Sequence, residues 1–166
     1  MNMNKNIIFY FVTMFGIGKI SKIPGSIASL VTVFLLYFIF HIIKFSPNYF
    51  IIILITIFFI SLYSINKYIE NSENKDPKEV VIDEFIGQSI PISLYEVAHS
   101  SITEKVEIFK IYFIIFILFR VFDIVKPYPV SYYDQNFKNS IGVVMDDVCA
   151  GLYVVAIMVM YMVIMT

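Results

Sequence analysis

The chain has 166 residues, of which 59% are hydrophobic and only 15% charged, with a mean hydropathy of +0.81. A soluble domain carries about a quarter charged residues, so this chain has too little polar surface to cover itself in water, and lipid is the expected solvent for much of it. The net charge of −1, without a basic arm or stripe, excludes the usual footprint of a nucleic-acid binder, and the single Cys149 excludes an internal disulfide or a cysteine-based zinc site.

Lys5 followed by "IIFYFVTMFGIG" has the outline of a signal peptide, but the apolar part is short and "GKISKIPGS" offers no A-x-A-like cleavage site. A helix lying on the surface or partly buried is the expected form of this stretch. Pro24-Gly25-Ser26 reads as a turn into a helix, with Ser26 as its cap. Lys19 and Lys22 beside that helix start make a candidate anion site, or serve only to fix orientation by their charge.

Two long apolar runs follow, 27–43 and 49–65, and the break between them at "KFSPN" suits a tight outer turn joining antiparallel helices. A weaker run, 85–98, is interrupted by Pro91 and Glu96; another, 108–125, carries Arg120 and Asp123 near its end. The run 148–165 closes the chain. The three long runs are each close to the ~20 residues that cross a bilayer. The expectation is an all-α, multi-pass helical membrane protein, with residues 1–166 forming a single domain.

Suppose the N-terminus is cytoplasmic and all five segments cross. Lys5, Lys19, Lys22, Lys67, Lys75, Lys78, Arg120, Lys126 and Lys138 then fall inside, and only Lys44, Lys105 and Lys110 outside. That split follows the positive-inside rule. It also gathers the charged motifs at the cytoplasmic face, with re-entry of 85–98 as the alternative.

Those motifs include "VVIDEFIG" (80–87) and "VVMDDVCAG" (143–151), each a pair of acids at the edge of an apolar run. An ionised carboxylate is retained in such a place only with a partner cation. Asp83 and Glu84 are expected to open one helix, and Asp146 and Asp147 another. Arg120 and Asp123, spaced i, i+3, share a helical face; Lys126 precedes Pro127, which should end that helix. Asp134 follows in the polar connection "SYYDQNFKNSIG". Singly, each of these is explained as an interfacial anchor or a partner for a helix dipole. Together on one face, they suggest Mg²⁺-assisted chemistry on a phosphorylated group, with carboxylates holding the metal and cations neutralising phosphoryl oxygens. Gly87, Ala150 and Gly151, small residues after each acid pair, would let two helices approach closely. His41 lies within an apolar span and His99 in an outer connection, so neither is expected as a catalytic base; Cys149 lacks an arginine six positions on, and there is no Walker loop.

The strings "IPGSIASL" (23–30), "VVIDEFIG", "FRVFDIVKPYPVSYYDQN" (119–136) and "IGVVMDDVCAG" (141–151), in that order, resemble the phosphatidylglycerophosphatase A family. The resemblance implies an all-helical, Mg²⁺-dependent enzyme of the bacterial inner membrane, and the lysine and arginine split puts the expected active site on the cytoplasmic face. Such an enzyme would remove the phosphate of phosphatidylglycerophosphate, a phospholipid, to leave phosphatidylglycerol. Carried over by position, the family's acids fall on Asp83, Glu84, Asp123, Asp134, Asp146 and Asp147, and its bases on Arg120 and Lys126. Asp83, Glu84, Asp146 and Asp147 are the expected metal ligands. Asp123 joins them as a catalytic residue, while Arg120, Lys126, Lys22 and Asp134 bind substrate. The sequence departs from the family twice: Pro-Gly-Ser-Ile-Ala-Ser stands for Pro-Gly-Thr-x-Gly-Ser, and Asn139-Ser140 precedes Ile141-Gly142 where a Gly-Gly-x-Gly turn is usual. An ion-coupled transporter using the same carboxylates is the competing class; it calls for acids near mid-membrane and repeats over whole helices. A CDP-alcohol phosphotransferase needs Asp-Gly-x-x-Ala-Arg, which is absent.

Overall fold

The structure, a computed structural model, describes residues 3–70, 74, 77–99 and 105–165, and every regular element in it is helical. Lys75 and the side chain of Lys105, both in the charge count above, lie outside the described residues. In chain order come α1 (Met3–Val12), a 3₁₀ turn (Ile17–Lys19) and α2 (Pro24–Tyr37), which ends in a π-helical turn, Phe38–Ile42. Then follow α3 (Pro47–Ile69), α4 (Ile82–Ala98), α5 (Lys105–Val125), the short α6 (Val130–Asn136) and α7 (Ser140–Met165).

Among the described residues, three helical stretches are long and apolar enough to cross a membrane: Pro24–Ile42, Pro47–Ile69 and Ser140–Ile164. They match the three long runs read from the sequence to within one residue at their C-terminal ends, or contain them. Their outer faces leave large apolar side chains such as Phe34, Ile52, Phe59 and Ile164 exposed, which water would penalise by about 25 cal/mol per Å² and hydrocarbon would not.

The weakest-looking run turns out to be the centre of the molecule. α4 packs chiefly on α7 and also on α2, α3 and α5, and most of its residues are buried. A helix walled by protein need not be apolar throughout, because its neighbours can supply hydrogen-bond partners. Pro91 does not break it. Proline has no N–H for the carbonyl four residues back, here that of Gly87, and this is the carbonyl against which α7 presses Gly151. A Cβ on Gly151 would overlap that oxygen, and one on Gly87 would lie 2.6 Å from the Asp147 carbonyl. The expected close approach through small residues is therefore present, and it fixes the register of α4 against α7.

Three local expectations are corrected. Ser26 caps nothing: α2 begins at Pro24 with Ile23 as its N-cap, because proline suits the first helical position. Asp146 and Asp147 do not open α7, which starts at Ser140. There the Asn139 side-chain oxygen accepts the N–H groups of Ile141 (3.0 Å) and Gly142 (3.1 Å), so a side-chain cap stands where the family has a glycine turn. Asp134 lies on α6 and not in an irregular connection. The stretch after Lys5 forms the expected partly buried helix, α1, which packs on α3. α1 is tied to the start of α4 by the bond from Val81 N–H to Val12 O (2.9 Å).

Candidate active site

α2, α4 and α7 all begin at one end of the bundle, and α5 ends there. Their termini enclose a cavity of about 380 Å³. α4 contributes Asp83 and Glu84 from its first turn, and α7 contributes Asp146 and Asp147 from its second. Arg120 and Asp123 enter from α5, Pro24, Gly25 and Ser26 from α2, and Lys78 and Lys126 from the connections.

Oxygens of Asp83, Glu84 and Asp147 all lie within 4.8 Å of one another. Asp83 and Asp147 are only 6% and 3% exposed, so water screens their mutual repulsion poorly. Glu84 Oε2 and Asp147 Oδ1 find no hydrogen-bond partner among the described residues. Orphaned buried carboxylate oxygens converging on one point are a costly arrangement without a cation. All-oxygen donors, with neither histidine nor cysteine in the set, suit a hard divalent ion such as Mg²⁺.

Two cations of the cavity, Arg120 and Lys126, are each held by a carboxylate. Arg120 Nη1 lies 2.7 Å from Asp123 Oδ2 and donates a longer bond to Ser29 Oγ (3.4 Å). Lys126, in a left-handed backbone conformation just past α5 (φ 47°), donates to Asp134 Oδ1 and to Asp146 Oδ2 (3.0 Å). Burial disfavours its charge, but these two carboxylates outweigh burial and raise its pKa above the ordinary lysine value. Asp146 Oδ1 in turn accepts the N–H of Asp147 (2.9 Å). Asp146 is thus fixed beside the three-acid cluster.

Gly25 explains the Pro-Gly-Ser string. A Cβ there would collide with Glu84 Oε1 and lie 3.3 Å from Arg120 Nη1. The glycine makes room for an acid and its neighbouring guanidinium.

Of the nine predicted site residues, Asp83, Glu84, Arg120, Asp123, Lys126, Asp146 and Asp147 line one cavity. Asp134 stands behind Lys126 through their ion pair. Lys22 is exposed and lines a neighbouring cleft with Lys19 and Lys78. Lys78 is an addition that the motifs did not mark, its position five residues ahead of Asp83 being the available signal; Ser29, the last residue of the Pro-Gly-Ser-Ile-Ala-Ser string, meets Arg120. A larger cavity, about 470 Å³, lies between α3, α4 and α7, but apolar side chains and Ser93 line it, and it offers no group for acid–base or metal chemistry.

Comparison with known proteins places the chain among lipid phosphatases by similarity. A Bacteroides thetaiotaomicron protein named "Putative phosphatidylinositol-3-phosphatase" is 38% identical over 95 residues, 57% of this chain; the match spans only 54% of that protein's length. Phosphatidylglycerophosphatase A of Haemophilus influenzae is 30% identical over 152 residues, 92% of this chain and 86% of its own. The Escherichia coli protein of the same name is 25% identical over 145 residues, 83% and 73% of the two chains. No solved structure gives a significant match. The sequence profile of phosphatidylglycerophosphatase A matches residues 10–162, a span that contains every residue of the cavity, and the chain belongs to that family.

Proposed function

We propose that the protein is a Mg²⁺-dependent lipid phosphatase of the bacterial cytoplasmic membrane. It hydrolyses the phosphomonoester of phosphatidylglycerophosphate to phosphatidylglycerol and phosphate, with residues 1–166 acting as one catalytic domain. The observation that carries this reading is the meeting of Asp83, Glu84 and Asp147 within 4.8 Å, in a cavity that also holds Arg120 and Lys126. The distribution of lysine and arginine supports a cytoplasmic position for that cavity.

Asp83, Glu84 and Asp147 would hold the ion, with Asp146 beside them. When bound there, Mg²⁺ supplies neutralisation of the charge on the phosphoryl oxygens. Arg120 and Lys126 present N–H donors to those same oxygens. Asp123 positions Arg120 through their 2.7 Å contact, and Asp134 does the same for Lys126. A carboxylate of the cluster either accepts the proton of the attacking water or attacks phosphorus itself and is freed by water afterwards. The configuration at a chirally labelled phosphorus separates the two: direct attack by water inverts it, and two successive displacements through a carboxylate retain it.

The transporter reading predicts acids near mid-membrane. Here they lie in the first two turns of α4 and α7. The deciding assay is phosphate release from phosphatidylglycerophosphate in detergent. Release that requires a divalent ion and stops with a chelator supports the proposal; no release with any ion removes it.

A further inference from the structure

Beside the acidic cavity lies a second cleft of about 600 Å³ that the proposed chemistry does not use. Lys19, Lys22 and Lys78 line it, with Glu79 as the one acid among the described residues. Glu79 already accepts a hydrogen bond from Tyr68 (3.0 Å), and none of the three lysines has an ion-pair partner among the described residues. Arg120 and Lys126, by contrast, are committed to carboxylates. Lys19 is further placed by Phe9, whose ring centre is 4.6 Å from its ammonium. The two clefts share Pro24 and Lys78 as a common wall, so one ligand can reach both.

The segment that carries Lys19 and Lys22 is otherwise largely apolar and open. Phe15, Ile20 and Ile23 are 89%, 75% and 62% exposed, and they alternate with the lysines along 15–23. Apolar side chains interleaved with lysines are the pattern of a segment seated at the boundary between acyl chains and headgroups. That seat puts the lysines at the depth of lipid phosphates.

We propose that Lys19, Lys22 and Lys78 form a second anion subsite. It takes the phosphodiester that joins a headgroup to diacylglycerol, while the terminal phosphomonoester enters the acidic cavity. The inference rests on the lipid phosphatase reading and deepens it, giving residues that would select lipids carrying both a diester and a separate monoester phosphate. A lipid such as phosphatidate, whose monoester sits directly on diacylglycerol, leaves the lysine cleft empty.

The test compares purified full-length wild type with the K19Q/K22Q/K78Q triple variant and with Lys78→Glu. The first readout is the ratio of kcat/KM for phosphatidylglycerophosphate to that for phosphatidate. The ratio should fall about tenfold in the triple variant, the scale of one lost charge-assisted contact, and further in Lys78→Glu. An unchanged ratio overturns the subsite. The second readout is binding of phosphatidylglycerol, which has the diester and no monoester, to the same proteins in chelator. Weakening of about tenfold in the triple variant supports the subsite, and equal binding overturns it. This arm decides the matter even where wild type hydrolyses neither lipid, an outcome that would remove the phosphatase reading instead. Inorganic phosphate is the competing occupant: if millimolar phosphate displaces phosphatidylglycerol from wild type, the cleft takes free anions and the assignment to a lipid diester fails.

Discussion

At one end of α4, Glu96 lies against His41 and Tyr112; at the other, Asp83 and Glu84 face Asp147. The two places are about 18 Å apart by helical rise and are similarly dry, Glu96 being 9% exposed and Asp147 3%. Burial therefore does not separate them. Partners do. Glu96 Oε1 accepts the Tyr112 hydroxyl at 2.8 Å and lies 3.2 Å from His41 Nε2, so its charge or proton is shared with neutral or basic groups. At the other end acids confront acids, and oxygens of Glu84 and Asp147 are left over. A buried carboxylate with partners holds a bundle together. A group of them without enough partners is suited to a cation, and on the proposed function that difference marks the end that does chemistry.

The sharpest way to break the comparison is to neutralise one acid at each end. Asp147→Asn should lower phosphate release by about 10³-fold, the upper range for loss of one transition-state electrostatic contact, while leaving the folded bundle intact in chelator. Normal turnover in that variant would take Asp147 out of the site. Glu96→Gln, equally buried, should leave turnover per folded molecule within about twofold, since it touches no reacting group.

Adding the cation back is the next largest effect. A divalent ion at about one hundred times its dissociation constant stabilises the folded state by about 2.7 kcal/mol, read as a rise in melting temperature. The rise should vanish in Asp147→Asn and persist in Glu96→Gln. A rise surviving in both would place the ion elsewhere.

Gly151→Ala comes third. Its new methyl meets the Gly87 carbonyl, and overpacking of this kind costs about 1–3 kcal/mol. Because α4 and α7 carry opposite sides of the acid cluster, the cost should appear in ion affinity as well as in melting. A variant that melts early yet binds the ion normally would show that the register of the two helices does not set the cluster.

The acid end of this comparison was legible in the sequence. "VVIDEFIG" and "VVMDDVCAG" put paired carboxylates where an apolar run pays for them, and the glycine after each pair predicted the helix contact that joins them. The partnered end was not. Glu96 looked like a flaw in run 85–98 and His41 like a passenger in a span, because their partners are 55 and 71 positions away from His41 in the chain. Local pattern reports what a residue is beside in sequence, and α4 derives its character from four neighbouring helices. For the same reason the start of α7 was misplaced: the apolar run begins at 148, but the helix begins at an Asn139 cap that hydropathy does not register. Lys78 entered only the charge count, because its place in the cavity wall comes from the fold.

The smallest expected effect tests whether the two ends are independent at all. Tyr112→Phe keeps a fully buried ring in place and removes only its hydroxyl from Glu96, a loss of about 1 kcal/mol of stability. Turnover and ion affinity should stay at wild-type values. The reason for doubting full independence lies between the ends, where Gln88 is fully buried and neither its amide oxygen nor its nitrogen has a partner among the described residues. Gln88 is one helical turn past Glu84 on the same face, with Ser89 and Ser93 unpartnered further along. Were this interior stripe to couple the ends, removing a single hydroxyl at Tyr112 would shift ion affinity at Asp147. A shift of threefold or more, about 0.65 kcal/mol, would mean that α4 carries one continuous polar column and that Glu96 belongs to the working part of the molecule. No shift would confine the chemistry to the end where acids meet acids.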